Sequence, residues 1–250
     1  MHALTPELIN TLAQAGGGGR IDVALQVGAG GVLVAIIWGV VAWYRRRGRT
    51  QRFDAFVQQP GFEPINDQKQ LETLSESIGD VFGDMSMYAR QLTIRGALHY
   101  PSEEFDVKVV HVVLGFEASN AQHHTMEKVV VLVSGFKHPL PRFRVMPNNF
   151  LFRHIHRNKI FDANTKFGEH NLVLGRDREH INALFTPDVQ QPLQENRSMV
   201  IEARRDLLAF FLHDERVEPD DLGAFVADCL SLAALIRKNA ADMSATPAQS

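Results

Sequence analysis

The spacing of apolar and polar positions changes character along the chain, and each change marks an element. Val23 to Tyr44 reads VALQVGAGGVLVAIIWGVVAWY, 22 residues without a charge and with Gln26 as the strongest polar side chain. A buried helix of that length normally carries a polar stripe, and none is present. As a helix the run spans about 33 Å, enough for a hydrocarbon core of about 30 Å. Residues 67–82 place Leu71, Leu74, Ile78 and Val81 at helical spacing among acids. The pattern then becomes that of strands: Gln91–Tyr100, Phe105–Phe116, Lys128–Phe136 and Arg142–Met146. Short polar or Gly/Pro-containing connections separate these four, which predicts an antiparallel meander.

Farther on, Asn148–Ile155 predicts a short helical turn and Asn171–Leu174 a strand broken by Gly175. Asp177–Phe185 reads as helix, and Thr186-Pro187-Asp188 is a second helix start, with a cap, a proline and an acid in order. Ser198–Ala203 and Leu207–Leu212, separated by Arg204-Arg205-Asp206, predict a hairpin. Pro219-Asp220-Asp221 opens an amphipathic helix whose stripe is Leu222, Phe225, Val226, Cys229, Ala233 and Ile236. Helix, strands, helices, hairpin and helix in that order predict an α+β class. A sheet followed by a C-terminal amphipathic helix is also similar to a pleckstrin-like barrel, by analogy of layout.

The flanks of the apolar run carry its orientation. Trp43 and Tyr44 close it, where amphipathic rings favour the headgroup layer, and Arg45, Arg46, Arg47, Arg49 and Arg52 follow. On the other flank Arg20 is offset by Asp22. The basic side faces the cytoplasm, so the sequence predicts a single-pass protein of a bacterial inner membrane with its N-terminus outside. A cleaved signal peptide needs the opposite charge order and small residues at its end. Gly31, Ala35 and Gly39 share a helix face and offer a seam for a homodimer. The plainer reading is that small residues are common in membrane helices. The expected organisation is an outer segment 1–22, a membrane helix 23–44, a basic segment 45–52, a cytoplasmic domain 53–239 and a flexible tail 240–250. Thr5-Pro6-Glu7 starts a short amphipathic helix in the first segment, and Gly16–Gly19 make a hinge after it.

The stretch KVVVLVSGF at 128–136, PLPRFRVMP at 139–147, LFTP at 184–187 and the hairpin–helix ending resemble a loose set of bacterial proteins. These have one membrane helix followed by a cytoplasmic α+β domain. The resemblance covers about the last two-thirds of the chain and rests on turns and strands. It implies the architecture; no activity is attached to such proteins, so no functional residue comes with it.

Composition narrows the chemistry. A net charge of −3 and a pI near 6.4 disfavour a nucleic-acid partner. A single cysteine, Cys229, forms no internal disulfide and no thiolate zinc site alone. Nucleophile elbow, phosphate loop, H-E-x-x-H and EF-hand patterns are absent. Eleven histidines include His123-His124, His154 with His156, His170 and His180. His-x-His on a strand is half of a metal site, but no local acid or cysteine completes it. His111 lies in an apolar strand and reads as a core or edge residue. The carboxylate pairs Glu103-Glu104, Asp214-Glu215 and Asp220-Asp221 fit solubilising or helix-dipole roles. No catalytic, cofactor or metal residue is therefore assigned.

Charge is unevenly placed. Residues 137–159 carry Lys137, Arg142, Arg144, Arg153, Arg157 and Lys159 without an acid, whereas 54–85 hold seven acids against Lys69. With Phe143, Phe150 and Phe152 interleaved, Arg142, Arg144, Arg153, Arg157 and Lys159 are candidate contacts for anionic lipid or another phosphate-bearing ligand. The alternative is that these arginines face solvent while Phe and Val fill the core. The leading expectation is a non-catalytic protein-interaction module on a membrane anchor. The anion-binding module is second, and an enzyme with an unrecognised site third.

Overall fold

The computed structural model describes residues 55, 56, 58–82, 89–117, 123–148, 159–162 and 165–245. The chain separates into two units, Met1–Arg52 and Phe53–Ser250, and every described residue belongs to the second. The expected membrane helix, with Trp43, Tyr44, Arg45, Arg46 and Arg47 at its end, lies outside the described residues. No helix among the described residues is long and apolar enough to cross a membrane.

The second unit is an α+β fold built on an eight-stranded antiparallel sheet. Its strands are β1 (Glu63–Pro64), β2 (Ala89–Tyr100), β3 (Asp106–Glu117), β4 (His123–Ser134), β5 (Leu140–Pro147), β6 (Asn171–Gly175), β7 (Met199–Arg205) and β8 (Leu207–Leu212). The spatial order is β1-β2-β3-β4-β8-β7-β5-β6, so the sheet is open, with β1 and β6 at its ends. The helices are α1 (Gln68–Phe82), α2 (Lys166–His170), α3 (Arg178–Leu184), α4 (Pro187–Glu195) and α5 (Leu222–Ala245).

Two-residue periodicity sorts the strands between two cores. Val107 and Val109 of β3 join Val131, Phe143, Ile201 and Phe210 on one face, where α2 to α5 pack. Val110, Val112 and Leu114 join Val130, Leu132, Ala209 and Phe211 on the other, under α1. Helix α1 buries Leu74, Ile78, Val81 and Phe82, the spacing of a single apolar stripe. Each such side chain contributes about 1.5–3 kcal/mol when fully buried. Helix α5 seats Leu222, Phe225, Val226 and Cys229 in the larger core, on the stripe its sequence predicts.

Two expectations differ from the structure. The fourth strand does not extend the meander: β5 lies beyond the β7–β8 hairpin, which is inserted between β4 and β5. Ser134 pairs with Leu207 and Leu140 with Arg205, so residues 135–139 pass across the hairpin tip. Three strand spacings of about 4.8 Å need about 14 Å, which five extended residues reach. Gly135 starts that crossing with φ of 97°, a conformation that suits glycine. Helix α5 also continues to Ala245, so residues 240–245, expected in the tail, are helical. Ala240 is buried and extends the apolar stripe by one further turn.

Candidate functional site

Several of the described charged groups lie along one line. Directly opposed residues on neighbouring strands share a face of the sheet. The register places Lys159, Leu174, Arg144, Glu202, Ala209, Leu132, Lys108, His99 and Glu63 in one row across the whole sheet. Leu132 and Ala209, in its middle, belong to the core under α1. Charged groups therefore flank α1 on both sides.

On one side, the Nε–H of Arg144 donates to the Glu202 carboxylate, and its Nη2 donates to the Val81 carbonyl at 3.3 Å. Arg204 reaches the Asp80 carbonyl at 3.2 Å and the Asp80 carboxylate at 3.2 Å. Both carbonyls lie in the last turn of α1, where the helix dipole favours cations and α1 has no basic residue of its own. At the other end, Asp67 accepts from the Lys69 N–H at 2.9 Å. Helix α1 is thus capped at its first turn and fixed to the sheet by its last turn and its stripe.

On the other side, a cavity of about 620 Å³ opens between the first turns of α1 and β2, β3, β4 and β8. Its floor is Ile65, Leu74, Leu132 and Leu207. Lys108 Nζ donates to Asp106 Oδ2 at 2.5 Å, and Ser134 Oγ donates to the same oxygen at 3.3 Å. His99 stands between two acids, with Nδ1 3.7 Å from Glu63 and Nε2 3.9 Å from Asp106. Ser134 leans on a carboxylate, not on an imidazole, so the group lacks the geometry of a serine activated by histidine. The cavity is shaped for binding, with an apolar floor and a polar mouth.

The candidate basic residues do not share one role. Arg142 is exposed on β5 and Arg144 is held by Glu202 and α1. Lys159 is half-buried and bridges to Leu174 at the β6 edge. Lys137 is exposed, whereas Arg153 and Arg157, with His154 and His156, lie outside the described residues. Among the described residues, no group of three or more His, Cys, Asp and Glu is placed to hold a metal ion.

His111 packs its ring 5.6 Å from that of Phe56, and burial lowers its pKa, with Arg95 and Arg216 acting the same way and Glu127 against them. Cys229 is buried, and desolvation raises its thiol pKa well above the ordinary range.

Two charged residues inside strands escape a reading by sequence: Lys128 and Glu202, 7% and 4% exposed. Strand β8 pairs with β4 only from Val131 to Ser134. Where the strands part, the Lys128 ammonium donates to the carbonyls of Leu212 at 2.7 Å, of His213, and of Glu215 at 3.5 Å. The available signal was an acid within the apolar run Met199–Ala203 and a lysine at the head of another: a buried charge needs a partner.

A second opening, of about 510 Å³, lies on the outer side of α1, against the edge of β2. Leu71, Ser75 and Glu72 of α1 face Ile94, Arg95, Gly96 and Ala97 of β2 across it. Comparison of the chain with protein-family models, with curated proteins and with solved structures finds no match.

Proposed function

We propose that this is a single-pass protein of a bacterial inner membrane, with its N-terminus outside, whose cytoplasmic α+β domain is a non-catalytic protein-interaction module. The observation that carries the reading is the uncharged run Val23–Tyr44 followed at once by five arginines between residues 45 and 52. Membrane lipid is the first partner, a protein the second, and a homodimer through Gly31, Ala35 and Gly39 a third association. Two openings beside one sheet-bound helix give the domain surfaces on which a partner can seat. Purification of the tagged full chain from detergent-solubilised membranes, with mass spectrometry of what accompanies it, tests the reading. A stoichiometric protein that is lost when residues 53–250 are removed supports it. Recovery of the chain in the soluble fraction, or alone from membranes, contradicts it.

A second reading is kept for the exposed cations Lys137 and Arg142 of the basic stretch. In it residues 137–159 bind anionic lipid or another phosphate-bearing ligand, each basic residue near the surface being worth about 1 kcal/mol. Arg144 is bonded to Glu202, and the test therefore falls on the other members of the set. Co-sedimentation with anionic but not neutral vesicles, lost on Arg153→Gln, Arg157→Gln and Lys159→Gln together, supports this reading. Equal sedimentation of both forms removes it.

A further inference from the structure

We infer that the groove between α1 and the outer edge of β2 receives an extended peptide segment of a partner protein, added to the sheet as a strand. The inference rests on the interaction-module reading and gives that module its docking site. Its first support is that the chain itself already uses this edge. Glu63 and Pro64 pair antiparallel with His99 and Leu98, and the Ile65 N–H donates to the Ala97 carbonyl at 2.8 Å. At Asn66 the chain turns away toward α1. From Gly96 back to Leu92, β2 has no ladder partner on that side among the described residues. The groove begins where the chain's own pairing stops, so an added strand continues an existing antiparallel interface.

The second support is the local register. A bulge at Arg95 separates the pair Ile94–Val112 from Gly96–His111. It restores the alternation so that Leu92 and Ile94, like Ala97, turn their side chains to the α1 face. By the same alternation, the outward peptide groups beyond the bulge are those of Ile94 and Leu92. A strand laid there has main-chain partners on one wall. Every second side chain would enter a groove walled by Leu71 of α1 and Ile94 of β2. A strand edge on one wall and a helix on the other is the geometry of peptide recognition by strand addition: main-chain bonds supply affinity, and the groove selects alternate side chains.

Charge selects the occupant. The charged side chains that line the groove are Arg95 of β2 and Glu72 of α1, one on each wall. A second copy of the same edge brings like charges together, and the bulge disturbs flat pairing. A segment with apolar residues at alternate positions, an acid beside Arg95 and no acid beside Glu72 meets neither obstacle.

The test is selection of random eight-residue peptides displayed on phage against the full chain in detergent micelles. Amide hydrogen exchange then locates the selected peptides. The inference predicts sequences alternating apolar and polar with an acid, protection of the Leu92 and Ile94 amides, and at least tenfold weaker binding to Leu71→Glu. Arg95→Glu, at an exposed position that does not threaten folding, should weaken the acidic peptides by a similar factor. Methylation of alternate peptide nitrogens should abolish binding. Failure to select any peptide, peptides that bind both variants equally, or protection elsewhere overturns the inference. So does a wild-type chain that self-associates through β2 where Arg95→Glu does not. If purification from membranes yields a partner while the selection fails, the groove assignment falls and the module stands. If both fail, both fall.

Discussion

Arg144 and Glu202 are direct cross-strand neighbours on β5 and β7, and the guanidinium of one is bonded to the carboxylate of the other. The pair stands at 14% and 4% side-chain exposure. It explains how a residue that reads as a solvent-facing cation becomes structural. The sheet needs a partner for the Glu202 carboxylate, and the last turn of α1 needs a cation near the Val81 carbonyl. Arg144 meets both needs.

Removing one member of this pair should therefore cost far more than removing both. Glu202→Leu or Arg144→Met alone takes the opposite charge from a buried ion, for a loss of about 3–5 kcal/mol. The double variant should lie within about 1–2 kcal/mol of the wild type, because a well-packed apolar pair avoids the desolvation cost. Urea denaturation of the fragment that starts at Thr50 measures all four corners of the cycle. Additive losses would show that the two side chains do not interact.

Lys128 should give the domain a distinctive alkaline behaviour. Burial lowers its pKa; Asp214 and Glu215 oppose this and Arg216 reinforces it. Between the lowered value and the usual lysine pKa of about 10.4, the folded state holds fewer protons than the unfolded one. Stability from this residue therefore rises with pH through that window. Lys128→Met lacks the rise and also leaves the carbonyls of Leu212 and His213 without their donor, at a cost of about 1–3 kcal/mol. Unfolding followed from pH 7 to 10.5 should show the gap between wild type and variant widening. Parallel profiles would mean that the lysine titrates as an exposed one.

Phe225 tests the packing of α5. Its ring is 6% exposed in the larger core, beside the stripe residues Leu222, Val226 and Cys229. Phe225→Ala should lower stability by about 3–5 kcal/mol, a large share of an ordinary domain's total. A melting temperature unchanged within error would place this face of α5 outside the core.

How much of this was legible depends on the range of the interaction. Local signals placed α1, β8 and the start of α5 within a residue or two, because caps, prolines and apolar spacing act over one or two turns. The insertion of β7 and β8 between β4 and β5 was not legible. The short connection at 135–139 looks like a hairpin loop, and only the Ser134–Leu207 and Leu140–Arg205 pairings show what it crosses. The role of Arg144 within the basic stretch was hidden for a related reason. Alternation puts Arg142 and Arg144 at equivalent positions, but the carboxylate that occupies Arg144 comes from residue 202, far along the chain. The grouping of His99, Asp106, Lys108 and Ser134 likewise depends on the register of three strands, which no local pattern states.

The account as a whole stands on the anchor and its orientation. Green fluorescent protein and alkaline phosphatase, each fused after Thr50 of the chain, read the two sides of the inner membrane. The proposed topology predicts fluorescence and no phosphatase activity, with both fusions in the membrane fraction, because a flank rich in arginine favours the cytoplasmic side. Active phosphatase, or fusions recovered in the soluble fraction, would contradict it.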